Sequence, residues 1–310
     1  MILCCGEALI DMIPAPTTAG SAGFVPHSGG AVFNTAIALG RLGAPVGMLT
    51  ALSTDMFGEQ IFADLRASNV DTRHIIRSER PSTLAFVQLK DGQATYAFFD
   101  ENTAERMMRH DDIPTVDPAV TALYFGGISL ARDPGAQAYA ALAEEVKERC
   151  VVMLDPNIRT GFISDESVYR TRIGRMIAVA DIVKVSDEDL AWLHEGPDSL
   201  EGKIDLLRRA GPPITILTRG AEGASAWLSD GTRVDVPVAK ADVVDTVGAG
   251  DTFNAGILSR LRHLGLLTKD RLGSLKPEEV EDALGFGAAV AAVTVSRAGA
   301  NPPWREELPQ

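Results

Sequence analysis

The chain has 310 residues, 45% hydrophobic and 23% charged, with a formal net charge of −13. That is the composition of an ordinary soluble globular protein, and at about 150 residues per domain it makes one or two domains. The acidic balance argues against a nucleic-acid footprint, and no apolar run reaches the roughly 18 residues of a membrane span.

The start, Met1-Ile2-Leu3-Cys4-Cys5-Gly6, lacks the basic region of a signal peptide and reads as a strand. Three cysteines, two of them adjacent, form neither a disulfide framework nor a zinc pattern. A cytoplasmic location is therefore expected. In chain order, apolar runs predict strands over 2–11, 46–52, 122–128, 151–155, 182–185 and 214–218. Helical spacing predicts helices over 31–42, 57–69, 135–149, 187–195, 199–210 and 277–296. The alternation is that of an α/β fold with a mostly parallel sheet. No linker, repeat or charge block divides the chain, so 1–310 reads as one main domain.

One region breaks the alternation. Residues 84–90 and 93–99 flank Asp91-Gly92, a strong signal for a two-residue hairpin. Two β-runs joined without a helix do not belong in a parallel sheet. They are expected to stand off the main body as a small antiparallel lid, formed by about 12–24 and 82–104. Exposed edges of such a lid tend to be paired, which makes a homodimer through the lid the expected assembly. Ser229-Asp230-Gly231 marks a second hairpin, before the alternating segment 233–238.

The run Asp245-Thr246-Val247-Gly248-Ala249-Gly250-Asp251-Thr252-Phe253-Asn254-Ala255-Gly256 carries the chemistry. Phe253, Ile257, Leu258, Leu261 and Leu264 recur at helical spacing, so a glycine-rich turn opens directly into a helix. Free N–H groups and the positive end of the helix dipole converge there, which suits an anion. Gly248 and Gly250 let the backbone approach without a Cβ in the way. A carboxylate beside an anion hole repels the charge the hole attracts, unless Asp251 accepts a proton from an attacking hydroxyl. The plainer reading is a helix-capping aspartate.

In open α/β sheets ligands sit beyond the carboxyl ends of the strands. Asp11, Asp155 with Asn157 and Arg159, Lys184 with Ser186, and Thr218 with Arg219 all fall at such ends. There is no G-x-x-x-x-G-K-[ST], and no G-x-G-x-x-G after the first strand, so neither a P-loop enzyme nor a common dinucleotide-binding dehydrogenase is indicated. Near the start, Gly29-Gly30-Ala31-Val32-Phe33-Asn34 opens a helix; a Gly-Gly turn admits a polyhydroxylated ligand, and an Asn amide both donates and accepts.

The stretch from Asp245 to Phe253 resembles the C-terminal motif D-T-x-G-A-G-D-x-F of the ribokinase-like (PfkB) sugar kinases, and the Gly29–Asn34 run is similar to that family's N-terminal motif. Gly6-Glu7-Ala8-Leu9-Ile10-Asp11, Tyr96-Ala97-Phe98-Phe99-Asp100-Glu101-Asn102-Thr103-Ala104, Asp155-Pro156-Asn157-Ile158-Arg159 and Ser296-Arg297-Ala298-Gly299-Ala300-Asn301-Pro302-Pro303 resemble the first strand, lid, D-P-N-x-R motif and tail of bacterial fructokinases. The resemblance spans essentially the whole chain. It implies a three-layer, Rossmann-like α/β fold and an ATP-dependent kinase using Mg2+ and a monovalent cation such as K+. It makes Asp251 the base and gives the anion-hole amides to Gly248, Ala249 and Gly250. Asp11, Gly29, Gly30, Asn34, Phe98 and Arg159 face the sugar. Lys184, Ser186, Thr218, Gly220 and Gly223 line the nucleotide, with small residues around 286–292 leaving a slot for adenine. At the metals, Asp189 stands in the motif that orders water around Mg2+, and Asp245 and Val247 offer backbone carbonyls to the monovalent cation, with Gly299 nearby. One departure stands out: the family's N-x-x-E motif reads Ser186-Asp187-Glu188-Asp189, one methylene shorter, with Glu188 as a substitute.

By the same resemblance the substrate is D-fructose, giving fructose 6-phosphate. The competitor is 2-keto-3-deoxygluconate, whose carboxylate would want Arg159 or Arg106. A sugar-sensing protein without turnover is the reading from another class. Whether His27 or His110 lies near the site is left open.

Overall fold

The fully buried strand sequences, apolar on both faces, assemble as parallel strands covered on both sides. The computed structural model describes residues 1–90, 93–196 and 199–308, with only the backbone of 88–90 and 93–95, so the Asp91-Gly92 turn lies outside the described residues. The strands are β1 (Ile2–Cys5), β2 (Leu9–Pro16), β3 (Ala22–Gly29), β4 (Val46–Ser53), β5 (Ile75–Ser78), β6 (Leu84–Lys90), β7 (Gln93–Phe99), β8 (Ala122–Gly126), β9 (Val151–Asp155), β10 (Ile182–Ser186), β11 (Ile214–Thr218), β12 (Ala224–Trp227) and β13 (Arg233–Val236). The helices are α1 (Ala31–Arg41), α2 (Met56–Ala67), α3 (Gly135–Val146), α4 (Glu166–Val179), α5 (Asp187–Leu193), α6 (Leu200–Arg209), α7 (Ala249–His263), α8 (Lys269–Leu272) and α9 (Pro277–Val295).

The large sheet runs β13-β12-β11-β10-β9-β8-β1-β4-β5, parallel except for the edge hairpin β12–β13. Strand alternation sorts its core into two layers. Ile2, Cys4, Tyr124, Met153 and Ile216 face α1, α2, α7 and α9. Leu3, Cys5, Phe125, Leu154 and Leu217 face α3, α4, α5 and α6. The chain leaves β1 to opposite sides, toward β4 and toward β8, so the strand order reverses at the carboxyl end of β1. A ligand crevice belongs at such a switch point.

The expected strand over 2–11 is two strands in two sheets. A Cβ on Gly6 would come within 2.6 Å of Val32 Cγ2 and 2.8 Å of Ser129 Oγ, so only glycine lets the chain turn out there between α1 and the segment after β8. The next strand, β2, belongs to a second sheet of order β3-β2-β6-β7. That sheet is two antiparallel hairpins joined by a parallel β2–β6 pair. Asp11 therefore sits within β2, opposite Ala85 and His27, and not at the end of a large-sheet strand. Helices α4 and α8 and strand β5 are additions to the elements expected from the sequence.

Candidate active site

The site grows from the turn before α7. Gly248 caps the helix with φ 78°, a left-handed conformation that favours glycine, and a Cβ there would meet Ala300 at 2.7 Å. Helix geometry leaves the first N–H groups without intrahelical partners. The N–H groups of Gly248, Gly250 and Asp251 meet no acceptor among the described residues, whereas that of Ala249 reaches Thr246 O at 3.3 Å. The open donors are thus those of 248, 250 and 251, rather than 248, 249 and 250.

Asp251 is 8% exposed. Its Oδ2 accepts from Asn34 Nδ2 at 2.9 Å, and Thr35 Oγ1 donates to its carbonyl at 3.2 Å. Helix α1 therefore holds both the side chain and the backbone of this residue. Burial pushes its carboxyl up to about 7; the Asn34 donor works against that, and the nearby Asp155 charge adds to it. A carboxylate titrating near neutrality suits a general base.

Helix α1 is aimed at Asp251 by a residue whose role the sequence did not reveal. Glu7, buried after β1, accepts from Ala31 N–H at 2.9 Å and Ser129 N–H at 3.3 Å, capping α1 from across the switch point. Burial raises its carboxyl above the usual range. Gly30, at φ 106°, would place a Cβ 2.9 Å from Glu7 Cγ, and Gly29 would place one 2.2 Å from Asp11 Oδ2. The Gly-Gly pair makes room for two carboxylates at once.

Asp11 has its carboxyl pushed up to about 6 by burial. Asp11 pairs with Ala85 and Ala85 with Phe98, so Asp11, Phe98 and, two residues back along β7, the half-exposed Tyr96 share one face of the small sheet. Phe98 packs edge-on against Phe162, ring centroids 3.9 Å apart, and stacks with Tyr96. The exposed Arg159 follows β9 and makes no ion pair among the described residues, whereas Arg106 is held by Asp100 at 3.4 Å. His27 neighbours Asp11 in the strand register, and His110 lies against Glu145 on α3.

On the far side of α7, Lys184 is 5% exposed and donates to Asp155 Oδ2 at 2.9 Å. Burial alone would lower its pKa, but Asp155 outweighs this and holds it above the usual value. Its Nζ lies 3.4 Å from where a Cβ on Gly250 would be, which brings a cation to the mouth of the open N–H groups. Ser186 pairs with Thr218 across β10 and β11. Beyond Thr218, Gly220 (φ 49°) and Gly223 (φ 88°) shape a turn, and a Cβ on Gly223 would strike Val236 O at 2.3 Å. A cleft of about 540 Å³ opens between residues 236–239 and α9, lined by Val236, Val238, Gly285 and Ala288. Phe286 turns away from it, toward the guanidinium groups of Arg260 and Arg305.

The residues expected at the metals are less free. Asp189 Oδ1 accepts from Ile158 N–H at 2.8 Å and Oδ2 from Ser186 N–H at 3.3 Å, completing a capping box for α5. Asp245 binds Val247 N–H at 3.0 Å and Gly299 N–H at 2.8 Å, which brings all three residues of the expected monovalent-cation site together. Among the described residues no cluster of three His, Cys, Asp or Glu side chains is assembled to hold a metal. Each Asp189 oxygen accepts one N–H and keeps a second lone pair, so the carboxylate fits the expected ordering of water around Mg2+.

A family model of pfkB carbohydrate kinases matches residues 1–307. The chain belongs to that family. It is a phosphotransferase family with an alcohol group as acceptor. A fructokinase of Rhizobium leguminosarum bv. trifolii is 50% identical over 286 residues, covering 91% of this chain and 86% of the relative. Among solved structures, a fructokinase with bound ATP from Xylella fastidiosa superposes with a TM-score of 0.88 at 27% identity, covering 99% of this chain and 94% of that one. A fructokinase from Vibrio cholerae O395, bound to fructose, ADP and calcium ion, gives 0.83 at 26% identity over 96% and 94% of the two chains. The expected three-layer α/β architecture with its second small sheet is what this chain adopts.

Proposed function

We propose that this chain is an ATP-dependent fructokinase, transferring the γ-phosphoryl group of ATP to the primary hydroxyl of D-fructose to give fructose 6-phosphate. The observation that carries the chemistry is the juxtaposition of Asp251, paired with Asn34, and three backbone N–H groups that have no acceptor among the described residues. The 50% identity to a fructokinase supports the choice of sugar.

In this reading Asp11, Asn34 and Arg159 hold the sugar hydroxyls, with Gly29 and Gly30 clearing the space. Asp251 aligns the primary hydroxyl and takes its proton as the new O–P bond forms. The bond from the γ-phosphorus to the bridging oxygen breaks, and ADP leaves with that oxygen's charge. A loosely bonded phosphoryl group needs positioning and neutralisation above all. The open N–H groups of residues 248, 250 and 251 and the Lys184 ammonium supply both. The turn at 218–223 and the cleft beside Gly285 and Ala288 take the nucleotide. Mg2+ would enter on the nucleotide phosphates and water, and K+ would sit at the Asp245 and Val247 carbonyls near Gly299.

We read the small sheet as a lid over the sugar, within a single kinase domain. Phe98 and Tyr96 line its inner side and exclude water that would otherwise take the phosphate. Phe24 and Phe99, 46% and 59% exposed, suit contact with a second copy. No helix among the described residues is long and apolar enough to cross a membrane, and the reaction's ATP supply suits the cytoplasm.

The test is a coupled ADP-release assay over a panel of sugars. Release with fructose alone supports the reading. Release with 2-keto-3-deoxygluconate instead would reassign the substrate, with Arg159 as the partner of its carboxylate. Sugar binding without release would make the chain a sensor.

A further inference from the structure

Beneath the first turn of α7 lies a polar cluster that the phosphoryl-transfer scheme uses only in part. Asn254 is one turn beyond Asp251 and fully buried. Its Nδ2 donates to Asp155 Oδ2 at 2.7 Å and to the Tyr124 hydroxyl at 3.1 Å. The same Asp155 oxygen accepts from Lys184. One carboxylate oxygen and one amide thus tie β8, β9 and β10 to α7. The amide has a single sensible orientation, because turning it would set its oxygen against Asp155.

Stability does not account for this cluster. A buried ion pair roughly offsets its own desolvation and is often replaced by apolar groups without loss. Asp155 Oδ1 and Asn254 Oδ1 are also buried without a hydrogen-bond partner among the described residues, which costs further. The cluster has a directional effect instead. It fixes the helix turn that carries Asp251, and it fixes the ammonium that reaches Gly250.

We propose that Asn254 is a positioning residue for phosphoryl transfer: by bridging Asp155 and Tyr124 it locks the start of α7, and through Asp155 the Lys184 ammonium, in register with the transferring group. The proposal rests on reading the chain as a kinase. It separates Asn254 from a mere core polar residue by where its loss is felt. Displacing a reacting group by about 1 Å can cost roughly 10²-fold in turnover, while the sugar contacts on β2 and after β9 are untouched.

Purified wild type and variants are assayed for ADP release with fructose and ATP, each with its melting temperature. Asn254→Leu, of similar volume, is expected to lower kcat by about 10²-fold with the fructose KM changed by less than about threefold. Asn254→Asp sets a second carboxylate beside Asp155. The charged groups facing Asp251 are Glu7, Asp155 and Lys184, so added negative charge there moves the acid limb of kcat/KM upward. Tyr124→Phe removes one acceptor and leaves the Asp155 bond, and it is expected to lower kcat by less than Asn254→Leu does. If the Asn254 variants fail to fold, Tyr124→Phe with an unchanged kcat overturns the proposal. Folded Asn254 variants with wild-type kcat and an unmoved acid limb overturn it as well. A wild type that releases no ADP with any sugar defeats the kinase reading itself, a separate outcome.

Discussion

The start of α7 and the small sheet are built in opposite ways. Around Asp251, side chains from α1, β8, β9 and β10 meet through short hydrogen bonds, nearly all of them buried. In the small sheet, by contrast, Ile13, Phe24, Val25, Tyr96 and Phe99 stand well exposed. Among the described residues its side-chain ties to the main body include Phe98 on Phe162, Asp100 with Arg132 at 2.7 Å, and Ser28 on Asp64 of α2 at 2.7 Å. The difference teaches a division of labour. Groups that stabilise developing charge act best when preorganised, whereas a cover that admits and releases substrate must have few contacts to break.

The sharpest way to break this comparison is at its rigid end. Asp251→Asn is expected to lower kcat by about 10²–10⁴-fold, the range of a general base, with the fructose KM little changed. The same variant should melt higher. A carboxyl with an ordinary value of 3.8 raised to about 7 by burial favours folding in its protonated form. The stability this contributes is present at low pH and is lost as pH rises through about 7. The amide escapes that loss, so the gain should be on the order of 1–4 kcal/mol at pH 8 and vanish near pH 4. Wild-type turnover, or a lower melting temperature at pH 8, would sink the assignment. In the unmodified protein, kcat/KM should fall tenfold per unit as pH drops below about 7. A profile flat down to pH 5 would contradict a base with this pKa.

Much of this rigid end was legible in the sequence, and the reason is local. A glycine turn opening into a helix with an early aspartate is a pattern of adjacent residues, and fully buried strands print themselves as apolar runs. What escaped were features that exist only between distant residues. Glu7 capping α1, and Asn254 meeting Tyr124 and Asp155, join positions 24 to 130 apart with no local signature. An apolar run also says nothing of which sheet it enters, so 2–11 read as one strand although Gly6 splits it. Helix α4 was missed because its polar stretch hides the buried Tyr169, Ile173 and Met176, with Arg172 buried among them. Asp189 adds another link between distant residues: its Oδ1 accepts from the N–H of Ile158, 31 residues away, which no local pattern announces.

The seam between the two regions is Gly29. A Cβ there would lie 2.2 Å from Asp11 Oδ2, so Gly29→Ala must displace the carboxylate read as a sugar ligand. The fructose KM should rise by about 10-fold or more, with kcat falling less, since the interaction lost is made before the transition state as well as in it. A fall in kcat at constant KM would move Asp11 from sugar binding to the chemical step.

The smallest effect on turnover is expected at the small sheet, and it tests the assembly. Phe24, Phe86 and Phe99 pack edge to face, centroids 5.0 and 5.4 Å apart, yet the outer two remain about half exposed. A monomer gains little from leaving such rings in water, and burying them against a second copy would recover about 25 cal/mol per Å². Phe99→Glu should therefore shift the mass measured by light scattering from dimer to monomer at micromolar concentration. The rigid site lies within one chain, so kcat should stay within about threefold of wild type. A wild type already monomeric at those concentrations would free the small sheet from any partner. It would leave the exposed rings to serve closure over the sugar alone.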